Sequence, residues 1–264
     1  MNQEEPFFSI CIPTFNSVDL LNKLIQSVLK QTFRNIQIII SDDSTTDEVY
    51  LYCKSLNDDR IIYFKHKSVI TATENWNFAL KKATGKYKIL VHHDDYFSNY
   101  LCLEKIHNEY LKNGEMMVYF LSFINEDKFQ KFYYNKFLMT QIFKRPDDLL
   151  YVNYFSSPSC LVLNQKVDLV YNEQLKWLVD VELYVRLFKK YKQIKKISNV
   201  AMVIGGGSER ITNFISKSDI LKEFYFLTQK KIFKFKLGIY FVQLMKLKII
   251  LIRYFNFKLN DFYK

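Results

Sequence analysis

The sequence predicts an α/β protein whose core is a mostly parallel sheet flanked by helices. Three observations lead to this prediction. Apolar segments of strand length alternate with amphipathic segments of helix length over the first hundred residues. The strand segments are nearly continuous in apolar residues, as parallel strands covered on both faces are. Several of them stop abruptly at acidic or amide side chains, and ligands of open α/β sheets bind at the carboxyl ends of the strands.

Each element of the first half has its own local signal. Ser17 or Asp19 can cap a helix with apolar positions at helical spacing, and Gly85 can serve as the C-cap of a later helix. Ile36 to Ile40 is apolar except for one glutamine, which indicates a buried strand. The predicted strands cover 7–12, 36–40, 60–64 and the run ending at Val91, and the predicted helices cover 19–29, 47–56 and 74–83.

Composition places the chain among ordinary globular proteins. Of 264 residues, 49% are hydrophobic and 25% charged, and with 6 Gly and 4 Pro there is no flexible linker. The four cysteines are widely separated, so we expect reduced thiols and neither a disulfide framework nor a zinc site. The polar N-terminus and the lack of an uninterrupted apolar run of about 18 residues predict neither a signal peptide nor a transmembrane helix. We therefore expect a cytoplasmic protein.

The positive charge is concentrated at the end of the chain. The net charge is +11, and residues 217–264 alone hold eleven Lys or Arg against three Asp or Glu. We predict a catalytic domain over 1–216 and a basic amphipathic helical tail over 217–264. Lysines interleaved with aromatic and aliphatic residues are typical of a helix at an anionic membrane surface. Helices packed on the protein are the alternative, and nucleic-acid binding is a weaker third.

Acidic pairs follow two of the predicted strands. Asp94 and Asp95 end the strand that starts after Gly85, and Asp42 and Asp43 end an earlier one. Two adjacent carboxylates repel each other unless a cation lies beside them, and oxygen ligands favour Mg²⁺ or Mn²⁺, often shared with substrate phosphates. We therefore predict a metal-bound diphosphate at Asp94 and Asp95, with a solvated turn as the alternative.

Two common nucleotide signatures are missing. The first strand is not followed by a GxGxxG turn, and no GxxxxGK[ST] phosphate loop occurs. A nucleotide would therefore be held through its base, its ribose and a metal, without a glycine-rich phosphate loop.

At this point the sequence resembles a known family, the family 2 inverting glycosyltransferases of the GT-A fold, which use nucleotide-sugar donors. The order and spacing of the motifs agree over residues 7–115, which would be the nucleotide-sugar-binding half, with 116–216 as the acceptor half. The residues that carry the resemblance are Phe8 to Asn16, Ser27 to Phe33, Ile38 to Asp47, Asn75, Asn77, Ala83, Gly85, Tyr87, Asp94 and Asp95, and more thinly Ser157 to Ser159, Asp180 to Leu187 and Gly205 to Ser208.

The resemblance implies roles for individual donor-site residues. Asp43 would accept a hydrogen bond from a pyrimidine imide, which favours a UDP-sugar. Asp95 would bind the Mn²⁺ or Mg²⁺ that bridges the two phosphates, and Asp94 would contact the ribose or support the metal. The remaining residues implied in donor binding are Pro13, Thr14, Phe15 and Asn16, which would line the base and ribose pocket, with Asn75, Asn77 and Ser208.

The resemblance also implies a general base in the acceptor half. Inversion by a single displacement needs one group to take the proton of the acceptor hydroxyl. Asp180 is the first candidate and Glu182 the second. The alternatives are that Asp180 caps a helix and that Glu182 pairs with Arg186 four residues later. Ser157 to Ser159 would shape a sugar pocket or form a plain loop.

Two departures from the family pattern leave alternatives open. His92 stands where many members have an aspartate, and we expect a partly buried histidine with its hydrogen bonds satisfied, with metal ligation by His92 or His93 as the alternative. The late loop from Gly205 to Gly207 has no histidine. It would close over the donor, through Ser208 or Arg210, or form a simple turn.

The function implied is a metal-dependent hexosyl- or N-acetylhexosaminyl-transferase of lipopolysaccharide or capsule biosynthesis. It would act on a glycan or lipid-linked glycan at the inner face of the cytoplasmic membrane, with no nucleic-acid partner. The alternatives are a non-catalytic peripheral membrane or nucleic-acid binding protein and a sugar nucleotidyltransferase. The latter normally has a glycine-rich phosphate loop, which is absent here.

Overall fold

A computed structural model of the protein describes residues 5–68, 70–126, 130–132, 136–150, 153–206 and 215–230. The backbone divides into two compact units, residues 1–216 and residues 217–264. In the second unit the described part contains one helix, α7, Lys217–Gln229. No helix in the described ranges combines the length and the apolar character needed to span a membrane.

The first half of the large unit alternates strands and helices, as predicted. Its elements are β1 Phe8–Thr14, α1 Val18–Leu29, β2 Ile36–Asp42, α2 Glu48–Ser55, β3 Ile61–Lys65, α3 Ala72–Lys82, β4 Tyr87–Leu90, β5 Tyr96–Phe97 and α4 Cys102–Asn113.

The second half of the large unit is less regular. Its elements are β6 Val118–Asn125, β7 Gln130–Phe132, α5 Lys136–Lys144, a 3-10 helix Pro146–Leu150, a second 3-10 helix Pro158–Cys160, β8 Leu161–Asn164, α6 Val179–Lys190 and β9 Ile194–Ile204.

The described strands form one sheet in the order β3-β2-β1-β4-β8-β6-β9-β5, with β7 paired to β6. β1 lies between β2 and β4 and is parallel to both, and β3 continues this parallel part. β8 joins antiparallel to β4, so the second half is mixed. The predicted fold class, a GT-A type sheet flanked by helices, is confirmed.

Local features stabilise two helices of the first half, although Ser17, a predicted cap of α1, makes no capping hydrogen bond through its side chain. α1 buries Leu21, Leu24, Ile25 and Val28, which recur at helical spacing. α3 begins with a capping box: the Thr71 hydroxyl accepts from the Glu74 amide, and the Glu74 carboxylate accepts from the Thr71 amide.

Gly85 does not have the predicted role of helix C-cap. α3 ends at Lys82, followed by Ala83 in an extended conformation. Instead, the Gly85 amide donates to Ser9 Oγ at 2.8 Å, where the chain enters β4 beside β1. A Cβ at this position would lie 2.7 Å from Ser9 Oγ and 2.9 Å from the Phe8 carbonyl carbon. The glycine is required by the close approach of two backbones, and the sequence pattern alone did not distinguish this from a cap.

We predict that Gly85→Ala lowers the free energy of unfolding by about 2 to 3 kcal/mol, the upper part of the range for overpacking, because the main chain of β1 cannot move aside cheaply. Lys81→Ala, at an exposed position of α3, is the control. It should change the free energy of unfolding by less than about 0.5 kcal/mol. Urea unfolding of both variants measures the difference, and an unchanged midpoint for Gly85→Ala would contradict the packing argument.

Candidate active site

The polar ends of β1, β2 and β4 are neighbours at one edge of the sheet. Thr14 pairs with Asp42 across β1 and β2, and the Asp43 amide donates to the Thr14 carbonyl at 3.1 Å. On the other side of β1, the Val91 amide donates to the Cys11 carbonyl at 2.8 Å. The turn after β4, which holds Asp94 and Asp95, therefore begins at the same edge as Asp43.

Three potential metal ligands converge after β4. One ligand atom from each of His92, Asp94 and Asp95 lies within 4.8 Å of the others. Two carboxylates and an imidazole suit a divalent cation such as Mn²⁺ or Mg²⁺, and the cation would relieve the repulsion between the carboxylates. Asp94 is half-buried, whereas Asp95 is only 2% exposed. Asp94 is thus the more accessible carboxylate.

Asp95 is fixed by hydrogen bonds from distant parts of the chain. Its Oδ2 accepts from Ser157 Oγ at 2.7 Å and from Ser159 Oγ at 2.5 Å, and its Oδ1 accepts from the Gly205 amide at 3.0 Å. Burial, followed by the charge of neighbouring Asp94, raises the pKa of Asp95 to about 7. The carboxylate predicted to bind the metal is therefore committed first to the protein itself.

A close backbone contact explains why the residue directly after β9, Gly205, is a glycine. A Cβ at Gly205 would lie only 2.1 Å from the Asp94 carbonyl oxygen. The end of β9 therefore packs directly on the backbone of the carboxylate pair. Ser208, predicted to contact the donor, lies outside the described residues, as do Gly207 and Arg210.

His92 is partly buried, as expected, but contrary to expectation one of its ring nitrogens has no hydrogen-bond partner. Its ring lies 4.6 Å from the Trp76 ring, and its amide donates to Ser159 Oγ at 3.0 Å. Nδ1 lies 3.5 Å from Ser157 Oγ, while Nε2 is buried without a hydrogen-bond partner. Burial lowers the pKa of His92, so the ring is neutral near pH 7. A neutral imidazole is compatible with metal ligation.

The predicted base and ribose pocket is built from tightly held backbone. Asn16 has a φ of +47°, a conformation that asparagine tolerates. Its amide donates to Ser44 Oγ at 2.8 Å, and its Oδ1 accepts from the Thr45 amide at 2.9 Å. The adjacent Phe15 is 46% exposed at the rim, and the Pro13 carbonyl accepts from the His93 ring.

Asp43 is a buried acid at this edge of the sheet. Both of its carboxylate oxygens accept from the Ile70 amide, at 3.1 and 3.3 Å, and burial raises its pKa. Two neighbouring candidates, Thr14 and Asn75, are also buried, and Thr14 Oγ1 and Asn75 Oδ1 lack hydrogen-bond partners. Buried polar atoms without partners cost about 1 to 3 kcal/mol each, which a ligand or water can recover.

Asn77, predicted to bind the donor, has protein partners for its amide group. Its Nδ2 donates to the Tyr171 carbonyl and to Glu173 Oε1, both at 2.9 Å, and its Oδ1 accepts from the Tyr171 amide at 2.9 Å. The amide group is used to attach the segment around Tyr171 to α3. It has a structural role between the two halves of the large unit.

Glu182, the second candidate base, is buried and paired with Arg186. Its side chain is 2% exposed, and its oxygens accept from Arg186 Nε and from a terminal Arg186 nitrogen, each at 2.7 Å. This bidentate ion pair is the alternative that the sequence offered. A buried carboxylate paired with arginine is a poor proton acceptor.

Asp180 is placed more suitably for proton transfer. It lies in the first turn of α6 and is half-buried. Its Oδ1 accepts from the Val181 amide at 2.8 Å and its Oδ2 from Asn153 Nδ2 at 3.0 Å. Burial raises the pKa of Asp180 to about 7, the range in which a general base works well near neutral pH.

The sequence did not reveal the contact of Asn153 with Asp180 or the binding of Ser157 and Ser159 to Asp95. These contacts join residues 27 to 64 positions apart. The Ser-Pro-Ser motif was the one available signal, and it indicated a pocket wall or loop. Local patterns contain no information about such long-range partners.

The sheet and its acidic edge define a GT-A type α/β protein with a candidate nucleotide and cation site. The family described as Glycosyl transferase family 2 matches residues 9–170, well over half of the chain. The chain belongs to this family, as its sequence motifs predicted.

A curated relative and two solved structures illustrate the similarity. The Escherichia coli UDP-Glc:alpha-D-GlcNAc-diphosphoundecaprenol beta-1,3-glucosyltransferase WfaP is 33% identical over 144 residues, 54% of this chain and 53% of the relative. The chain therefore spans about half the length of that relative.

S. aureus TarS 1-349 in complex with UDP-GlcNAc has a TM-score of 0.64 at 19% identity, covering 81% of this chain and 63% of TarS 1-349. Mannosyltransferase PcManGT from Pyrobaculum calidifontis, in complex with GDP-Man and Mn2+, has a TM-score of 0.58 at 10% identity, covering 86% and 65%.

We predict that Ser159→Ala lowers the free energy of unfolding by about 1 to 3 kcal/mol, because it leaves the His92 amide without its acceptor and removes a donor from buried Asp95. Ser55→Ala is the matched control. The Ser55 hydroxyl donates to the Tyr52 carbonyl at 2.7 Å on an exposed helix face, so its loss should change stability by less than about 0.5 kcal/mol. Chemical denaturation compares the two, and equal effects would contradict the importance of the Asp95 network.

Proposed function

We propose that the protein is an inverting glycosyltransferase that moves a hexose or N-acetylhexosamine from a UDP-sugar to a hydroxyl of a lipid-linked glycan. The observation that carries the proposal is the convergence of Asp43, Asp94 and Asp95 at adjoining strand ends in the parallel part of the sheet. Membership of glycosyl transferase family 2 supports it. The product would belong to a surface glycan such as lipopolysaccharide or capsule.

The donor would lie along the edge from Asp43 to Asp94. The buried Asp43 carboxylate is suited to accept the imide N–H of uracil, and exposed Phe15 could cover the base. Thr14 Oγ1 and Asn75 Oδ1, both buried without partners, offer further polar contacts. UDP-Glc and UDP-GlcNAc in the names of the E. coli and S. aureus proteins support a uridine nucleotide.

A divalent cation would be held by Asp94, with His92 and Asp95 within reach. When bound, it would neutralise the charge that develops on the leaving diphosphate. Asp95 would contribute mainly by fixing the turn, because its two oxygens already accept three hydrogen bonds. Mn2+ in the neighbouring mannosyltransferase supports a metal of this kind.

Asp180 would take the proton of the acceptor hydroxyl. The hydroxyl oxygen then forms a bond to the anomeric carbon while the bond from that carbon to the diphosphate oxygen breaks. The electron pair leaves with the nucleoside diphosphate, and the configuration at the anomeric carbon inverts. The half-buried position of Asp180 and its pKa of about 7 support this role.

The acceptor and the location of the protein are proposed together. The E. coli relative is named for a diphosphoundecaprenol acceptor, which is embedded in a membrane. The basic tail, residues 217–264, with eleven Lys or Arg against three Asp or Glu, would hold the protein at an anionic membrane surface where such an acceptor is found. This would place the protein at the inner face of the cytoplasmic membrane.

We predict different defects for two aspartate variants in calorimetric titrations with UDP and Mn²⁺. Asp94→Asn should abolish the metal-dependent part of UDP binding, because it removes the accessible anionic ligand. Asp180→Asn should bind UDP and Mn²⁺ as the wild type does, yet lower the transfer rate at least about 100-fold with a UDP-sugar and a lipid-linked GlcNAc diphosphate acceptor. Asp59→Asn, at an exposed position, is the matched control and should change neither property.

The outcomes separate the proposal from its rivals. UDP binding that does not depend on metal, together with no transfer to any acceptor, would favour a non-catalytic binding protein. Formation of a nucleotide sugar from a sugar phosphate and a nucleoside triphosphate would favour a nucleotidyltransferase. Near wild-type transfer by Asp180→Asn would refute the base assignment.

We predict that deletion of residues 218–264 releases the protein from vesicles that contain phosphatidylglycerol. The full chain should sediment with these vesicles at low salt and dissociate as salt rises, because lysines attract anionic headgroups. Vesicles of phosphatidylcholine alone serve as the control. Equal sedimentation of the full chain and the truncated chain would contradict membrane binding by the tail.

A further inference from the structure

The segment that leads into the second 3-10 helix, together with the start of that helix, is in contact with both proposed catalytic regions. Asn153 to Ser159, called here the 153–159 turn, contacts Asp180 through its first residue. It contacts Asp95 through Ser157 and Ser159. One short piece of chain therefore connects the acceptor half to the carboxylate pair.

Asn153 uses every hydrogen-bonding group of its amide in this turn. Its Nδ2 donates to the Ser156 carbonyl at 2.9 Å and to Asp180 Oδ2 at 3.0 Å, and its Oδ1 accepts from the Phe155 amide at 3.0 Å. The amide orientation is unambiguous, because a backbone N–H can only donate and a carboxylate can only accept. Rotation of Asn153 would break three hydrogen bonds.

The turn is held rigidly on its other side. Phe155 is fully buried and stacks on Phe120 of β6 with ring centroids 3.9 Å apart. Ser156 has a φ of +62°, a conformation that costs a non-glycine residue about 1 kcal/mol or more. Its carbonyl accepts from Asn153 and from Tyr184 Oη of α6, at 2.9 and 3.4 Å. These contacts hold a strained backbone in one conformation, a feature that often accompanies functional sites.

We propose that Asn153 is a positioning residue that orients the Asp180 carboxylate for proton transfer, and that the 153–159 turn fixes Asp180 relative to Asp95. The proposal rests on the proposed function, in which Asp180 is the base. Asn153 would act only through its hydrogen bond to Asp180. It acts by directing one oxygen of Asp180 toward the turn, while Oδ1 stays on the Val181 amide.

The charge on Asp180 provides a readout of this contact. A hydrogen bond from Asn153 stabilises the ionised carboxylate and lowers the pKa of Asp180 against the dominant effect of burial. Tyr171 is a titratable group close to Asp180: the Asp180 charge raises the pKa of Tyr171, and Arg186 lowers it. Asp180 takes a proton only when ionised, so transfer should rise with pH through about 7 and then level off.

The test compares Asn153→Ala with Asn99→Ala in the full chain. Asn99 makes the same local contact, since its Oδ1 accepts from the Leu101 amide at 3.0 Å, but it lies on an exposed turn after β5. Asn153→Ala should lower kcat at least about 10-fold with an unchanged KM for the UDP-sugar. The acidic limb of its pH–rate profile should move to higher pH. Asn153→Asp, which adds a like charge, should move that limb further. Asn99→Ala should match the wild type in all three respects.

A second measurement needs no turnover. In the protein with ¹³C-labelled aspartate, the carboxyl resonance missing from Asp180→Asn identifies Asp180, and its titration midpoint should be higher in Asn153→Ala than in the wild type. An unchanged midpoint and an unchanged kcat in Asn153→Ala would overturn the positioning role. If Asp180→Asn retained transfer while the midpoint still moved, the base assignment would fail and the contact would stand as structural. Loss of transfer in Asp180→Asn with no effect of Asn153→Ala would overturn this inference alone.

Discussion

The arrangement of the candidate site depends on the buried carboxylate of Asp95. Three donors from two distant segments meet on its oxygens: two serine hydroxyls of the 153–159 turn and the amide of Gly205 after β9. A buried charge is tolerated only when such partners surround it. Removing any one of these donors would leave part of the Asp95 charge without a hydrogen bond, and the desolvation of that charge would then be uncompensated. The network therefore stabilises one relative position of β4, the turn and β9. It leaves Asp94, one residue away, as the carboxylate that faces outward.

The two adjacent aspartates have different roles, because a single side chain does not easily combine accessibility with a fixed position. A ligand-binding carboxylate must be accessible, but an accessible side chain on a turn is poorly fixed. Here the hydrogen bonds of Asp95 hold the turn in place, and Asp94 provides the more accessible carboxylate. Because the two residues are adjacent in the chain, fixing Asp95 also fixes the backbone that positions Asp94. The same pattern recurs on α6, where Glu182 forms a bidentate ion pair with Arg186 while Asp180 keeps a half-buried position near the 153–159 turn. In each pair one acid is structural.

Much of the fold could be predicted from the sequence because its signals are local. Apolar runs of strand length, helical spacing in α1 and the capping box of α3 depend on neighbouring residues only. The acidic edge followed from the parallel sheet. The contacts of Gly85, Asn77 and Asn153 could not be predicted, because each depends on a partner between 27 and 94 positions away. In the sequence, a glycine required by a close backbone contact looks the same as a helix C-cap. An asparagine whose amide joins two segments likewise looks the same as an asparagine that binds a ligand.

The far separation of the partners of Asp95 has a consequence for synthesis of the chain. Ser157, Ser159 and Gly205 follow Asp95 by 62, 64 and 110 residues. A nascent polypeptide that has only the first parallel strands can form their hydrogen-bonded ladder, but it must leave this acid unsatisfied. The candidate site is thus completed only after β9, which pairs with β5, has been synthesised. A partly made chain that lacks Gly205 has at most two of the three hydrogen bonds that fix Asp95.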